Sequence, residues 1–438
     1  MWTEVIPFLC GAVLIGGGLW WRLSVRGREH RILAGALGEE DPVARCAAVR
    51  VAVEHGARRH AKLLLDHAES ERDPQVRDTL MRALEASFID PASSSELLRL
   101  QLWARRERWQ RLPPDQAAGR HDPEIVDPGK AVIVTGVGGA AGIAVVRALT
   151  GRVRVIGTDC DPTAAGQGLA DEFAVIPRAD DPDLVPALVK VAQRTGATAL
   201  LCTVAEEFGA LHYGVDLLHE AGLATWLPPV VGTRICLDKW RFALLCERNG
   251  IPIPATGLAT NTDVPGPWIV KPRFGRGSRD VHTADTEDEL EWALSRVPEP
   301  IVQTRLTGRE FTVDALTDRD SRLVGAVPRW RLETKAGIST KGRTFACPHV
   351  ARESGRLLAA LGHQGPANVQ GFMADDGTIK FIEVNPRFSG GLPLSLAAGS
   401  DLVGEYLRGV YGLPVRQDRL RAQAGLTMYR YHAEVFVE

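Results

Sequence analysis

The sequence has little net charge and few cysteines, and each shortage excludes a class of protein. Its 438 residues carry a formal net charge of -2, so we expect no general affinity for nucleic acid and no nucleic-acid partner. The seven cysteines are odd in number and no two have the C-x-x-C spacing, which argues against a disulfide framework and a structural zinc site. With 45% hydrophobic and 24% charged residues, the composition is that of a globular chain, and its scattered thiols indicate a reducing compartment.

One charge-poor stretch, residues 5–23, lies close to the N-terminus and contains a single charged residue. As a helix it would measure about 28 Å, close to the hydrocarbon thickness of a bilayer. Trp20 and Trp21 stand where an interfacial aromatic belt would lie, and arginines follow the stretch whereas Glu4 precedes it. We therefore predict a transmembrane anchor over residues 1–28, which crosses a bacterial-type cytoplasmic membrane once and leaves the rest of the chain in the cytoplasm. A buried apolar helix is the alternative.

The next segment, residues 29–111, is rich in alanine, leucine and arginine with helical periodicity. An Asp-Pro-x-x-Arg pattern occurs in it twice, at 41–45 and at 73–77. Aspartate can cap a helix whose first turn tolerates proline, so each copy predicts a helix start. The segment resembles HEAT-type helical repeats, which implies a surface for a protein partner, and a plain helical bundle is the alternative. The proline- and glycine-rich residues 112–129 predict a linker.

From Lys130 onward, strands alternate with helices. Three apolar runs, at 131–136, 153–159 and 199–203, predict buried parallel strands of a doubly wound sheet. After Pro267 strands predominate and helices are few, which predicts an α+β region attached to the α/β one. The predicted fold class is therefore α/β and α+β, preceded by a membrane helix and a small all-α segment.

A glycine-rich turn, residues 136–142, follows the first of these strands and opens a helix. Such a turn lets backbone amides approach a phosphate group at a helix N-terminus. Asp159 stands about twenty residues further on, where a dinucleotide site places the acid that binds the ribose. An NAD(P)-linked enzyme is therefore one interpretation, although this fold often persists without its cofactor and a stronger nucleotide signal follows.

That signal is a second glycine-rich loop, residues 271–279, which follows the end of a predicted strand at Lys271 and holds four cations within nine residues. Glycines let backbone N–H groups approach phosphate oxygens, and the cations offset the charge of a triphosphate. A glycine-rich surface turn is the alternative, but such a turn does not normally carry so much positive charge. The loop is not a Walker loop, because no G-K-[ST] follows a four-residue spacer.

A third group of residues predicts a metal site. Glu383 and Asn385 stand two apart on one predicted strand, so their side chains share a face. Gln370 lies on the predicted hairpin partner of that strand and can reach the same point. Three hard oxygen ligands around one point suit Mg²⁺ bound to phosphates. The polar, solvent-facing side of a hairpin is the alternative.

These motifs together resemble the ATP-grasp superfamily, through Lys271 with its loop, Gln303, Glu310, Gln370 and the E-x-N-P-R run at 383–387. The resemblance is strongest to the ATP-binding half of the carbamoyl-phosphate synthetase large chain and the small ligases related to it. It extends from Lys130 to Glu438. It implies a Rossmann-like pre-ATP-grasp domain over residues 130–232 and an ATP-grasp domain over 233–438, with a lid subdomain at about 255–304.

The resemblance also implies a role for each matching residue. ATP would be contacted by Lys239, Lys271, Gly275, Arg276, Gly277, Ser278, Gln303, Thr304, Arg305 and Glu310. Of these, the lysines and the loop would face the phosphates, Gln303 to Arg305 would lie along the adenine, and Glu310 would hold the ribose hydroxyls. Mg²⁺, or Mn²⁺ in its place, would be held by Gln370, Glu383 and Asn385. Arg387 and Lys271 would be catalytic, facing the phosphoryl group as it is transferred, where positioning and charge neutralisation provide most of the rate.

The sequence departs from carbamoyl-phosphate synthetase where a further arginine follows the N-P-R run and Ser389-Gly390-Gly391 stands instead. This argues against bicarbonate as the phosphorylated substrate and leaves room for a larger carboxylate. A second ATP-grasp half and a glutaminase domain are also missing, which argues against ammonia channelling. Arg329 and Arg331, with Lys335, form a basic stretch that could bind a substrate carboxylate, and plain surface charge is the alternative.

The predicted function is therefore a membrane-tethered, ADP-forming ligase. It would phosphorylate a small-molecule or peptide carboxylate with Mg-ATP and pass the acyl group to an amine or another nucleophile. The alternative from another class is a catalytically silent ATP-binding scaffold that recruits partners through its helical segment. The presence of Lys239, Lys271, Glu383 and Asn385 favours the enzyme, because a silent scaffold has no need to keep all four.

Overall fold

The computed structural model describes residues 30–54, 59–86, 96, 100, 103, 130–259, 263–275, 277, 279–431 and 433–437. The chain divides into two compact units, Met1–Ala117 and Ala118–Glu438. The predicted linker, residues 112–129, lies outside the described residues.

The first unit is all-helical in its described part. Helical residues 30–37 precede three helices, α1 (Pro42–Glu54), α2 (Ala61–Ser70) and α3 (Pro74–Ala86). Both Asp-Pro pairs start a helix as predicted: the Asp41 carboxylate accepts a hydrogen bond from the Val43 amide, and the Asp73 carboxylate accepts one from the Gln75 amide. Buried leucines, valines and alanines form a separate core between these helices. The HEAT-like character of this unit stays a prediction.

The membrane prediction has to be corrected. No helix in the described ranges is long and apolar enough to cross a membrane. This finding contradicts the predicted single-pass membrane localisation, which we do not retain. The predicted span itself, residues 5–23, falls outside those ranges.

The second unit begins with a parallel α/β layer. Its strands are β1 (Ala131–Thr135), β2 (Arg154–Asp159), β3 (Glu172–Val175) and β4 (Ala197–Leu201), in the order β3-β2-β1-β4. Its helices are α4 (Ala140–Leu149), α5 (Leu184–Thr195), α6 (Phe208–Tyr213) and α7 (Val215–Glu220). The central strand β1 is buried along its whole length, as its uninterrupted apolar sequence predicts. The chain order reverses between β1 and β4, which is where doubly wound sheets form a crevice.

Two helices, α8 (Val230–Cys236) and α9 (Lys239–Arg248), lead into a small antiparallel sheet. Its strands are β5 (Thr256–Leu258), β6 (Trp268–Pro272), β7 (His282–Ala284) and β8 (Pro300–Thr304), in the order β5-β8-β6-β7. Helix α10 (Glu287–Arg296) packs on this sheet and starts with a capping box between Thr286 and Glu289. This layer has its own small apolar core and occupies the range predicted for a lid.

The last layer is a six-stranded antiparallel sheet in the order β13-β12-β9-β10-β11-β14. Its strands are β9 (Arg309–Thr317), β10 (Leu323–Lys335), β11 (Ile338–Thr344), β12 (Gly365–Met373), β13 (Ile379–Asn385) and β14 (Thr427–Tyr429). Helices α11 (Pro348–Ala360), α12 (Leu392–Ala397) and α13 (Leu402–Val410) accompany it. Helix α13 joins this layer to the parallel layer of the same unit. Tyr406 on this helix donates a 2.6 Å hydrogen bond to the Trp226 carbonyl, and its ring stacks on the Trp226 ring.

Candidate active site

Two lysines from different elements face one carboxylate. Lys239 is the first residue of α9, a helix capped by Asp238, and Lys271 lies on β6. The negative charge of Glu383, on β13, acts on both lysines. The Lys239 ammonium also donates a 2.9 Å hydrogen bond to the Gly275 carbonyl, so it ties α9 to the glycine-rich loop. The structure thus brings together two residues predicted to contact phosphates and one predicted to bind metal.

The start of α9 is held in place by an ion pair. Asp238 is buried, caps the helix through the Trp240 and Arg241 amides, and forms a 2.7 Å ion pair with Arg273. Arg273 belongs to the loop that follows Lys271. This single carboxylate therefore fixes the positions of both lysine-bearing segments relative to each other.

Lys271 is the more buried of the two lysines, with 8% of its surface exposed. Burial lowers the pKa of Lys271 to about 8, since it favours the neutral amine, and the nearby Lys239 charge adds to this fall while Glu383 opposes it. Burial also lowers the pKa of Lys239. Lys271 is buried and Lys239 beside it is half-buried, and cations withdrawn from water are costly without anions to balance them, so the site suits a highly charged anionic ligand.

The loop after Lys271 requires its glycines. Gly275 has φ 122° and Gly277 has φ 70°, both in the region that side chains with a Cβ rarely adopt. Gly277 lies against Gly337, which is at the tip of the β10–β11 hairpin, and a Cβ on Gly337 would come to 3.0 Å from the Gly277 Cα atom. Arg276 and Ser278 lie outside the described residues. Their predicted ATP contacts, like those of the two glycines, stay predictions.

The segment predicted to lie along the adenine is built from the end of β8. Gln303 is buried and donates a 2.9 Å hydrogen bond to the Thr256 hydroxyl, and the Thr304 hydroxyl donates one of 2.8 Å to the Pro265 carbonyl. Arg305 is ion-paired with Asp285. All three side chains are thus engaged within the small sheet, and any reading of the adenine edge would fall to the backbone of this segment.

One arginine bridges two predicted ligand-binding side chains. The Arg331 Nη1 atom lies 2.6 Å from the Glu310 Oε1 atom and 2.6 Å from the Gln370 Oε1 atom. Burial raises the pKa of Glu310, and the charge of Glu383 adds to the rise, while Arg331 opposes it. Glu310, Gln370 and Glu383 therefore share one electrostatic environment, in which Arg331 supplies the balancing charge.

The predicted metal ligands meet at the β12–β13 ladder. Gln370 and Glu383 are direct cross-strand partners, and the Asn385 amide donates a 3.0 Å hydrogen bond to the Glu383 Oε1 atom. Within the described ranges no three histidine, cysteine or acidic side chains could hold a metal ion by themselves. One carboxylate with two amide oxygens is nevertheless a hard donor set, which fits Mg²⁺ when phosphate oxygens complete its coordination.

Arg387 follows this ladder directly. Its guanidinium donates to the Phe388 carbonyl at 2.8 Å and to the Asn385 side-chain oxygen at 3.4 Å. The predicted catalytic arginine therefore adjoins the predicted metal ligand Asn385. Its role toward the transferred phosphoryl group stays a prediction.

The basic stretch on β10 is not surface charge. Arg329 is 1% exposed and forms a two-bond ion pair with Asp314, at 2.9 and 3.0 Å. Arg331 faces inward to Glu310, whereas Lys335 stays exposed at the end of the strand. The surface-charge alternative is thus wrong for both arginines, and their predicted contact with a substrate carboxylate stays a prediction.

Sequence reasoning missed how the Ser389–Gly391 turn is held. The Ser389 hydroxyl accepts from the Arg329 Nη2 atom at 3.0 Å, and Gly391 has no space for a Cβ because Arg329 lies against it. Arg430, just after β14, donates to the Ser339 carbonyl at 2.9 Å and to the Gly390 carbonyl. No local pattern could have revealed Arg430, since it lies forty residues from its partner.

The first glycine turn is closed by its own chain. The Gly138 amide donates a 2.7 Å hydrogen bond to the Asp159 carboxylate. The acid expected to bind a ribose thus occupies an amide that a dinucleotide phosphate would need, which argues against the NAD(P) interpretation.

The parallel layer also contains a buried carboxyl group, Glu207, which accepts hydrogen bonds from the Thr135 hydroxyl at 2.5 Å and the Cys202 thiol at 3.3 Å. Burial raises the pKa of Glu207 to about 7.

Comparison with known protein families agrees with this architecture. Residues 296–433 match the family described as ATP-grasp in the biosynthetic pathway with Ter operon. Residues 133–223 match the family described as the PylC-like N-terminal domain. The two matches fall on the six-stranded layer and on the parallel layer of the second unit.

Among curated proteins, the chain is 30% identical over 232 residues to the carbamoyl phosphate synthase large chain of Corynebacterium glutamicum, which covers 46% of this chain and 20% of the relative. The large chain of Archaeoglobus fulgidus is 28% identical over 225 residues, which cover 44% of this chain and 21% of the relative. The chain therefore spans about a fifth of the length of these relatives.

Among solved structures, biotin carboxylase from Campylobacter jejuni aligns with a TM-score of 0.54 and 16% identity, covering 67% of this chain and 73% of that one. The L-amino acid ligase from Bacillus licheniformis aligns with a TM-score of 0.51 and 17% identity, covering 68% and 76%. These likenesses show an ATP-grasp fold. The coarse prediction of an ATP-grasp chain, similar to the carbamoyl phosphate synthase large chain, is thereby confirmed, whereas the comparisons lend no support to the membrane helix or the HEAT-like repeats.

Proposed function

We propose that this chain is an ADP-forming, ATP-dependent ligase that joins a carboxylate to an amine. The observation that carries the proposal is the convergence of Lys239, Lys271 and Glu383 from three separate elements. Two partly or wholly buried cations facing one carboxylate suit a magnesium-bound triphosphate. The names of the similar proteins, a carbamoyl phosphate synthase and an amino acid ligase among them, support an enzyme of this class.

In the first step, a substrate carboxylate oxygen attacks the γ-phosphorus of ATP, the bond from that phosphorus to the ADP oxygen breaks, and an acyl phosphate forms. Lys239 and Lys271 would neutralise the phosphate oxygens as charge moves onto ADP. Mg²⁺, when bound through Gln370, Glu383 and Asn385, supplies further positive charge at the same phosphates. Arg387, next to Asn385, would face the phosphoryl group in transit.

In the second step, the nitrogen of an uncharged amine attacks the acyl carbon, phosphate leaves with its bonding electron pair, and the new amide nitrogen loses a proton. The Ser389–Gly391 turn adjoins both Arg329 and the start of α4, since Gly390 lies against Ala140. We infer that the carboxylate lies beside this turn, on the side of Gly390, which carries no side chain, and close to the Arg329 guanidinium.

The experiment that tests the proposal is a screen of carboxylates in pairs with amines, in which nucleotide products are separated and quantified. We expect a productive pair to release ADP and phosphate in equal amounts with one new amide bond. The Lys271→Met variant should bind and turn over ATP far less. Coupled formation of AMP and pyrophosphate would contradict the acyl-phosphate route, and ADP release equal in wild type and Lys271→Met would contradict this site.

A further inference from the structure

A pocket of about 320 Å³ lies on the face of the six-stranded sheet opposite the candidate active site. We call it the reverse-face pocket and define it by Arg309, Trp330, Arg343, Phe345, Ala346 and Ala424. Trp330 and Arg343 are cross-strand partners, so their side chains share a face, whereas Arg329 and Arg331 on either side of Trp330 point to the active site. The pocket is therefore separate from the ATP-facing residues by the thickness of the sheet.

The lining of this pocket is positively charged and has no acid. Arg309 and Arg343 stand on it, and across the part of the chain that the structure describes neither guanidinium has a hydrogen-bonded or ion-paired carboxylate. The backbone amides of Ala346 and Ala424 likewise have no acceptor within the described ranges. Guanidinium groups and free amides around one cavity are the donors that a phosphate group accepts from.

The pocket is also preorganised. The Arg309 guanidinium lies 4.2 Å from the centre of the Trp330 ring, and Trp330 stacks on Phe345 at 3.9 Å with an angle of 11° between the rings. The Thr344 hydroxyl donates a 2.8 Å hydrogen bond to the Gln423 carbonyl, which fixes the segment that carries Ala424. Cation–π contact and stacking hold one arginine in place before any ligand arrives, which lowers the entropic cost of binding.

We propose that the reverse-face pocket binds the phosphate group of a small molecule at a site distinct from the ATP site. Two guanidinium charges match the double negative charge of a phosphate better than the single charge of a carboxylate. Arg309 precedes Glu310 on β9, and Trp330 precedes Arg331 on β10, so a ligand here touches the two strands that carry the Glu310–Arg331 ion pair. Occupancy of the pocket is thereby in a position to influence the ATP site.

The test is a calorimetric titration of the full chain with inorganic phosphate at fixed ionic strength, in the wild type and in four variants. Because phosphate could also enter the ATP site, Lys271→Met is included to remove that contribution. In Lys271→Met we expect one phosphate per chain, bound with the wild-type affinity of the reverse-face pocket. In Arg343→Gln and in Arg309→Gln we expect the affinity of this pocket to fall by about tenfold or more. Both arginines are exposed, so the fold should survive, and the thermal midpoint of each variant checks it.

Two controls make the outcome decisive. Arg343→Lys keeps the charge and should retain part of the affinity, and acetate at the same ionic strength should not compete, whereas a carboxylate-specific site would let it. The proposal is overturned if the wild type shows no saturable phosphate binding. It is equally overturned if binding disappears in Lys271→Met but persists in Arg343→Gln, because the phosphate would then belong to the ATP site.

Discussion

Gln370 and Glu383 stand directly opposite each other in the β12–β13 ladder, and the Asn385 amide donates to the Glu383 carboxylate from two residues along the same strand. Glu383 is also the acid that faces Lys239 and Lys271. This one carboxylate thus connects the metal ligands with the phosphate-facing lysines. It is the residue whose loss should affect catalysis most.

Glu383→Ala should lower kcat by about 10²-fold or more, because it removes a charged ligand that acts on the transferred phosphoryl group. The measurement is ADP release with a productive substrate pair at saturating Mg-ATP. Glu333→Ala is the matched control, since Glu333 is exposed on β10 and, among the residues that the structure describes, its carboxylate pairs only with Lys341 and Thr340. Near-wild-type turnover in Glu383→Ala would show that the metal site lies elsewhere.

ATP binding should weaken as the pH rises above 8. Burial holds the pKa of Lys271 at about 8 in the free protein, so a growing fraction of Lys271 is neutral above that pH and must take up a proton when ATP binds. We expect the affinity to fall by up to about tenfold per pH unit between pH 8 and 9.5. Equilibrium dialysis with labelled ATP measures this. Lys271→Arg stays charged and should flatten the profile; a wild-type profile that is flat to pH 9.5 would contradict the assignment.

Residues that act through local spacing were predictable from the sequence. Strand β1 is an uninterrupted apolar run, and Glu383 and Asn385 share a face because they stand two apart. The Lys271 loop was predictable because its glycines and cations stand close together in the sequence. Each of these signals needs only the chain within a few residues of the site.

Residues that act through distant contacts were not predictable. Arg329 and Arg331 alternate correctly for one face of β10, but the acids that neutralise them, Asp314 and Glu310, come from β9. The sequence could not show that pairing, because a one-residue slip in register would expose the arginines instead. The contact of Arg430 with the Ser389–Gly391 turn was not predictable either, because the two partners are forty residues apart in the sequence.

Glu207→Gln should remove one source of the pH dependence of folding stability. Burial raises the pKa of Glu207 from 4.5 to about 7, so between these values the unfolded chain has lost a proton that the folded chain keeps. The wild type should therefore lose stability as the pH rises from about 4.5 to 7, by a total of about 3 kcal/mol. Above pH 7 this contribution should be constant.

Thermal midpoints of wild type and Glu207→Gln, measured from pH 5 to 8.5, test this prediction. Glutamine keeps an oxygen for the Thr135 hydroxyl but has no carboxyl proton to lose. The thermal midpoint of the variant should therefore rise relative to that of the wild type as the pH increases. Glu220→Gln changes an exposed carboxylate at the end of α7 and should leave the wild-type profile unaltered. Parallel profiles for wild type and Glu207→Gln would mean that Glu207 is ionised in the folded protein at pH 5.

Arg430→Ala should weaken use of the carboxylate substrate without affecting ATP. Arg430 connects the Ser339 carbonyl of β11 with the Gly390 carbonyl, and Gly390 in turn lies against Ala140 at the start of α4. Partial desolvation lowers the pKa of Arg430, and the charges of Arg329 and Arg147 add to this, so three cations lie near the turn. Loss of Arg430 frees the turn on one side while Arg329 still holds it on the other.

We expect kcat/KM for the carboxylate to fall by about 10- to 100-fold in Arg430→Ala, which corresponds to the loss of one or two charge-assisted hydrogen bonds. The dissociation constant of ATP should stay within about twofold of the wild type, because Lys239 and Lys271 lie on other elements. Arg421→Ala, an exposed arginine earlier in the same segment, should leave both quantities unchanged. An equal loss in ATP affinity and carboxylate use would show instead that Arg430 supports the whole fold. Unchanged kinetics in Arg430→Ala would show that the Ser389–Gly391 turn is held well enough by Arg329 alone, through the hydrogen bond that its Nη2 atom donates to the Ser389 hydroxyl.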